Sequence, residues 1–559
     1  MTSDKESIAR LVEICRRQGI KDVVFSPGSR NAPLVISFVE SGAFNTYCIP
    51  DERTAAFFAL GVSINTRQAT IICCTSGSAA LNYAPAISEA YYQGVPMLVL
   101  TADRPAQWID QGIGQSIRQN EIYRNYIKAS HTLIQEADGE VLLSQNDTIV
   151  YKAIAQSTTG FPGPVHINIP LEEPLYGTTE ASPEPNDPPV EAELDTGDTI
   201  DLDEITGIWK ACRRKLVLYG LAHHDSELEK RLQELHDSGQ IVLLTETGAN
   251  CYVKGAVQTI DRFITGFEKA ADNYRPDLLV SLGGPVVSKK IKSLFLNHPP
   301  SHHWHVGLDE AKDTYRVLSQ HIRMNGREML QCLEGQHSIN DSSFQKRWLE
   351  RNSLLVERHN SYLKGAAWSD LKAFDIILGH LPDKAILHMG NSTVVRYVQL
   401  FDQKAGVRYF GNRGVSGIDG CSSTALGYAY KSDKLNVLIT GDIAFHYDIN
   451  AFWHRHLPSN FKLIIVNNQG GGIFRIIPGP SSTDQLTDYF EAHQQSNAAK
   501  LMEHYGLSYR SASTADELEK AMHSGFFESS DGIQVLEVFT PRTENENVLN
   551  DYFRQIHKF

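Results

Sequence analysis

The 559-residue chain has no CxxC pair, no apolar run of membrane-spanning length and no surplus of positive charge. Each absence removes a class of protein. The eight cysteines, at 15, 48, 73, 74, 212, 251, 332 and 421, are scattered, and two of them end the apolar run Thr70-Ile-Ile-Cys-Cys74. Such thiols read as reduced and buried in a cytosolic protein, not as a disulfide frame or a zinc site. A formal net charge of −14 opposes general affinity for nucleic acid or for an anionic membrane, so anionic small molecules must be held by local basic clusters. The opening residues Met-Thr-Ser-Asp-Lys-Glu-Ser carry acid where a signal peptide needs a basic start and an apolar core. The expectation is a cytoplasmic protein with no membrane insertion.

Lysine and arginine are also missing between Lys152 and Lys210, and Ala181-Ser-Pro-Glu-Pro-Asn-Asp-Pro-Pro-Val190 lies inside that gap. Proline density with like charge reads as an exposed linker. A weaker break, rich in turn-forming residues, runs from Glu334 to Ser343. A chain of this length supports roughly three domains, and the two breaks set them at 1–182, 183–345 and 346–559. Helical spacing of Ile8, Leu11, Val12 and Cys15 precedes the strand-like Asp22-Val-Val-Phe25, and the same alternation continues. Thr70–Cys74, Pro96–Thr101, Lys215–Tyr219, Ile241–Thr245, Leu278–Leu282, Ala385–Met389, Asn436–Thr440 and Lys462–Val466 read as buried strands. The fold class this implies is α/β, with doubly wound parallel sheets in each block. In such sheets ligands gather at the carboxyl ends of the strands.

The most informative of those ends are Gly441-Asp442 and Asn467-Asn468, with 26 residues from Asp442 to Asn468. A strand, helix, strand return of that size sets the two ends side by side. They then offer a carboxylate and an amide oxygen, the ligand types that Mg²⁺ prefers beside phosphate oxygens and water. Gly470-Gly-Gly472 follows and lets bare backbone approach metal or phosphate. The combination resembles the cofactor motif of thiamine-diphosphate enzymes, with Asp442, Asn468 and the Gly470 carbonyl in the metal-ligand positions. The motif's usual third residue is Gly, and here it is Ile443. Enzymes of this class also place an activating glutamate at the start of an apolar helix after a short strand, where it holds the cofactor's aminopyrimidine ring. Glu52, in Ile49-Pro-Asp-Glu-Arg-Thr-Ala-Ala-Phe-Phe-Ala-Leu60, stands in that setting.

Further segments are similar, in order, to the 2-succinyl-5-enolpyruvyl-6-hydroxy-3-cyclohexene-1-carboxylate synthases of menaquinone biosynthesis. They are Ser26-Pro-Gly-Ser-Arg30-Asn-Ala-Pro-Leu34, Asp51-Glu-Arg53, Thr75-Ser-Gly-Ser-Ala79, Thr101-Ala-Asp-Arg-Pro105, Gln115-Ser-Ile-Arg-Gln119, Gly390-Asn-Ser392 with Arg396, and Asn412-Arg-Gly-Val-Ser-Gly-Ile-Asp-Gly420. The resemblance implies a pyrimidine-binding, a central and a diphosphate-binding domain. It also implies thiamine diphosphate with Mg²⁺ or Mn²⁺, and a homo-oligomer with active sites at the subunit interface. The implied substrates are 2-oxoglutarate, which loses CO₂, and isochorismate, which receives the succinyl unit. Ser29, Arg30, Arg104, Gln115, Lys289, Lys290, Ser392, Arg396 and Arg413 match the family's substrate-binding positions, and guanidinium groups suit dicarboxylates through paired hydrogen bonds. The family often has arginine where Lys290 stands. Ser392, Gly417, Ile418, Ile443, Gly470, Gly471 and Ile473 match cofactor positions, while Phe474 and Ile477 match an apolar wall.

Two other readings compete. A simple 2-oxo-acid decarboxylase or acetohydroxyacid-type synthase needs smaller apolar pockets and no array of arginines. An inert diphosphate-binding regulator has no use for both Glu52 and the metal pair. His223-His224, His302-His303 and His305 lack i, i+4 spacing and read as solvated loop residues, not as ligands.

Overall fold

The run Asp22–Phe25 forms a strand buried along its whole length, as do Thr70–Cys74 and Lys215–Tyr219, and a parallel sheet covered on both faces requires this. The structure is a computed structural model that describes residues 1–559 except 182, 188–200, 268–270, 337–339, 478, 530 and 559. Its first strands are β1 (Thr2–Ser3), β2 (Asp22–Phe25), β3 (Asn45–Cys48), β4 (Thr70–Cys74), β5 (Met97–Asp103), β6 (Ala129–Thr132), β7 (Pro164–Pro170) and β8 (Thr178–Thr179). β1 and β8 make a short antiparallel ribbon, and the others form a sheet of order β3-β2-β4-β5-β7-β6.

A second sheet contains β9 (Lys215–Tyr219), β10 (Val242–Thr245), β11 (Leu278–Leu282), β12 (His302–Val306) and β13 (Leu318–Ile322), in the order β10-β9-β11-β12-β13. The third has β14 (Ile386–Met389), β15 (Arg408–Phe410), β16 (Asn436–Gly441), β17 (Phe461–Asn467), β18 (Ser508–Ala512) and β19 (Gln534–Phe539), in the order β15-β14-β16-β17-β19-β18. β2 pairs in parallel with β3 and β4, β9 with β10 and β11, and β14 with β15 and β16. The fold is therefore α/β with three doubly wound sheets. In each, the strand order reverses beside the first strand laid down, and this opens a crevice at the carboxyl ends.

The chain divides into two compact units. One contains Met1–Asp195, Asn412–Asp433 and Ala444–Phe461, and the other Thr196–Gly411, Lys434–Ile443 and Lys462–Phe559. Residues 182 and 188–190 of the proline-rich stretch and 337–339 of the second break lie outside the described residues. Two stretches of the third sequence block pack within the first unit because the helices Glu52–Thr66 and Cys421–Tyr430 cross almost backbone to backbone. A Cβ on Gly61 would lie 2.0 Å from the Thr424 carbonyl oxygen, and one on Gly427 2.0 Å from that of Phe58. Substituting Gly427→Val is expected to destabilise the protein by about 3 kcal/mol or more, since backbone must move to admit the side chain. A thermal or urea midpoint equal to that of the parent would show that the helices do not cross here.

One expectation is corrected. His302, His303 and His305 lie not in solvated loops but in β12, with His303 and His305 buried. Polar partners inside the sheet make this tolerable: His303 Nε2 is 2.9 Å from Ser281 Oγ, and His305 Nε2 is 2.9 Å from Asp309 Oδ1. Burial pushes the His303 imidazole down to about 4. His223 is exposed and His224 half-buried.

Candidate active site

In the first unit the crevice between β2 and β4 is closed by the Ser26–Arg30 turn. A Cβ on Gly28 would lie 2.3 Å from Thr75 Cβ, and the Arg30 amide donates to Thr75 Oγ1 at 3.2 Å. This packing turns the Arg30 side chain inward while Ser29 stays exposed. Arg30 is buried, donates to the Leu171 carbonyl at 3.1 Å and meets Glu173 Oε1 at 3.1 Å. Arg104, which follows β5, approaches the same oxygen at 4.0 Å. Burial and the neighbouring Arg104 charge lower the Arg30 pKa, as two cations lie close at the one Glu173 carboxylate. Gln115 is exposed with φ of 54°, a strained backbone for a non-glycine residue, and its backbone packs over Gly77 at 3.2 Å from the position a Cβ would take.

Glu52 begins its helix but does not cap it. Asp51 takes that duty, accepting from the Thr54 amide at 3.1 Å and from Asn450 Nδ2 at 2.7 Å. Glu52 is half-buried, with Asn82 Nδ2 at 3.5 Å. Arg413, Gly417 and Ile418 are half-buried in the segment before the helix Cys421–Tyr430. A residue without a sequence signal positions that segment: Glu89, 1% exposed, accepts from the amides of Gly414 at 2.5 Å and Val415 at 2.7 Å. Burial raises the Glu89 pKa, and these amides, with that of Ser416, oppose the rise.

In the second unit β16 and β17 are neighbours, so Asp442 and Asn468 stand at adjacent strand ends. Asp442 is buried and accepts from Gln494 Nε2 at 2.7 Å and from the backbone amides of Ile443 and Gly470. Burial pushes its carboxyl up to about 6 despite those donors. Asn468 donates through Nδ2 to buried Asp370 Oδ2 at 3.0 Å, which fixes the orientation of its amide group. Gly470, at φ of 144°, has no room for a side chain, since a Cβ would lie 2.7 Å from the Glu491 carbonyl oxygen. The Gly471 amide donates to that oxygen at 2.6 Å. Glu491 is itself buried and clamped by Arg475 at 2.6 Å and Arg542 at 2.7 Å.

The remaining positions also lie in the second unit. Ser392, at φ of 72°, precedes the short helix Thr393–Val398, and Arg396 Nη1 donates to its carbonyl at 2.5 Å. Gly390 lets β14 close on β16, because a Cβ there would lie 3.0 Å from Thr440 Cα. Lys289 is exposed, whereas Lys290 reaches the Thr265 hydroxyl and lies over the Phe553 ring at 4.0 Å. The turn before them is held by buried Glu246, which accepts from the Val287 and Ser288 amides at 2.6 and 2.9 Å. Ile473 is buried. Ile443, Gly471, Phe474 and Ile477 are half-buried, and the Phe474 ring is 6.0 Å from that of Phe490. Gln494, Glu491, Asp370, Glu246, Glu173 and Glu89 escaped the sequence reading because each acts on a partner distant in the chain and carries no local motif.

Residues 8–122 match the N-terminal TPP binding domain of thiamine pyrophosphate enzymes, and 389–538 match the C-terminal TPP binding domain. The chain is 39% identical over 549 residues to a 2-succinyl-5-enolpyruvyl-6-hydroxy-3-cyclohexene-1-carboxylate synthase of Flavobacterium johnsoniae, covering 98% of each. Synthases of the same name from Porphyromonas gingivalis and Bacteroides thetaiotaomicron are 37% and 34% identical, again over 98% or more of both chains. The chain belongs to this synthase family. It is a thiamine-diphosphate-dependent enzyme, and its residues suit the cofactor's diphosphate end: a buried carboxylate, an oriented amide oxygen and a glycine turn closed to any side chain. None of the described helices is long and apolar enough to cross a membrane.

Proposed function

We propose that the chain decarboxylates 2-oxoglutarate and transfers the succinyl unit to isochorismate, giving 2-succinyl-5-enolpyruvyl-6-hydroxy-3-cyclohexene-1-carboxylate and CO₂ in menaquinone biosynthesis. The observation that carries the substrate class is the approach of Arg30 and Arg104 to a single carboxylate, at 3.1 and 4.0 Å. Paired guanidiniums favour a dicarboxylate over a small neutral acyl acceptor. Bound thiamine diphosphate supplies the electron sink for loss of CO₂. Glu52 would hold the aminopyrimidine of that cofactor, and Asp442, Asn468 and the Gly470 carbonyl would hold the Mg²⁺ that anchors its diphosphate. Ser392, Gly417, Ile418, Ile443, Gly471 and Ile473 line the cofactor. Ser29, Arg30, Arg104, Gln115, Lys289, Lys290, Arg396 and Arg413 bind substrate carboxylates and hydroxyls, and Phe474 and Ile477 exclude water.

The enzyme works in the cytoplasm as a homo-oligomer, so that Glu52 of one subunit and the Asp442 pocket of another grip one cofactor. Half-exposed Glu52 and the exposed Leu81, Tyr447 and Trp453 of its unit support that arrangement. The test is incubation with thiamine diphosphate, Mg²⁺ and 2-oxoglutarate, with and without isochorismate, followed by mass analysis. CO₂ with the succinylated ring product is expected; turnover of pyruvate in preference to 2-oxoglutarate would overturn the reading.

Glu89 gives a separate prediction. Glu89→Ala releases the turn between Arg413 and Ile418, and kcat/KM for isochorismate is expected to fall by about tenfold or more. Far-ultraviolet circular dichroism should stay unchanged, and parental steady-state constants would remove Glu89 from any positioning role.

A further inference from the structure

The helix Asp370–His380, whose first residue holds Asn468, ends at His380, and the helix Ala515–His523 packs against it. At that contact His380 Nε2 lies 2.7 Å from Glu519 Oε2, and His523 Nε2 lies 3.7 Å from the same oxygen. The two imidazoles meet edge to face with centroids 4.7 Å apart, and one ligand atom from each of the three residues lies within 4.8 Å of the others. We propose that His380, Glu519 and His523 form a binding site for a divalent transition metal of the zinc type, which ties the ends of the two helices together.

Four observations converge on a cation of that type. Two imidazole nitrogens and one carboxylate oxygen are a zinc donor set, whereas Mg²⁺ and Ca²⁺ take oxygen ligands alone. Glu519 and His523 stand at i and i+4 on one helix face, so two of the ligands come on a rigid frame. His380 is the last residue of its helix, where unpaired carbonyls concentrate partial negative charge and favour a cation. The site is open on one side, since the His523 side chain is 71% exposed, and water can complete a tetrahedral shell there.

The site is separate from the Mg²⁺ pocket and uses none of its ligands. Full-length protein is stripped with chelator, saturated with Mg²⁺ and thiamine diphosphate, and titrated with Zn²⁺ by calorimetry, with Co²⁺ absorption as a second readout. The parent, His380→Ala and His523→Ala are compared. One equivalent of Zn²⁺ should bind the parent and raise its melting midpoint. In both variants affinity should fall at least about tenfold and the midpoint should no longer respond. The cobalt spectrum of the parent should show the intense visible bands of a tetrahedral site. Equal Zn²⁺ affinity in parent and variants, or no binding to the parent up to millimolar Zn²⁺, would overturn the proposal. His523 is exposed, so its variant is expected to fold even if His380→Ala does not.

Discussion

Glu52→Gln should leave a folded protein whose CO₂ release from 2-oxoglutarate has fallen by about 10³ or more. The amide is isosteric, and the helix keeps its cap because Asp51, not Glu52, accepts the Thr54 amide. Stability should therefore change by no more than about 0.5 kcal/mol, as at other sites without a packing or capping duty. On the proposed function, what the glutamine lacks is the carboxyl group that would share a proton with the cofactor's ring nitrogen, and losses of 10²–10⁴ are usual when such proton exchange is removed. The two measurements belong together: a melting curve, and CO₂ release at saturating cofactor. Parental turnover with an intact fold would end Glu52's assignment as the activating carboxylate.

The second large effect is expected at Asp442. Asp442→Asn keeps the shape of the side chain and an oxygen for the Ile443 and Gly470 amides, but loses the negative charge. Affinity for thiamine diphosphate at fixed Mg²⁺ should fall by roughly 10² or more, read by tryptophan fluorescence or calorimetry, and turnover should fall with it. The stability of the metal-free protein should move the other way. Burial already holds the Asp442 carboxyl near 6, so its charged form is costly at neutral pH until a cation joins it. In chelator at pH 7.5 the asparagine variant should melt no lower than the parent. A variant that binds cofactor normally would show that the metal is held elsewhere, and one that melts far lower would show that Asp442 serves the fold and not the cofactor.

Central strands were legible to the residue in Asp22–Phe25, Thr70–Cys74, Lys215–Tyr219 and Leu278–Leu282, because a strand covered on both faces carries a nearly continuous apolar run, here broken only by Asp22, Thr70, Lys215 and Ser281. β5 runs on to Asp103, beyond its apolar stretch, since Asp103 finds the Asn168 amide at 2.8 Å. The edge strands β6, β13, β15 and β18 were not legible. They are partly exposed and mix polar with apolar residues, so no unbroken run announces them. The 26-residue spacing correctly set β16 beside β17, but the connection is not one long helix. It is a short helix, Asp442–Tyr447, followed by a 3₁₀ turn, Ile449–Phe452.

By itself, the order of residues determined the α/β class and the family, because these rest on local periodicity and on motifs contiguous in the chain. Only the tertiary structure decided what surrounds those motifs. Arg30 and Arg104 converge on Glu173, Gln494 covers Asp442, Asp370 orients Asn468, and Glu89 holds the turn after Arg413. The physical reason is the same in each case: a buried polar group must find a partner, and the nearest partner in space is rarely a neighbour along the chain.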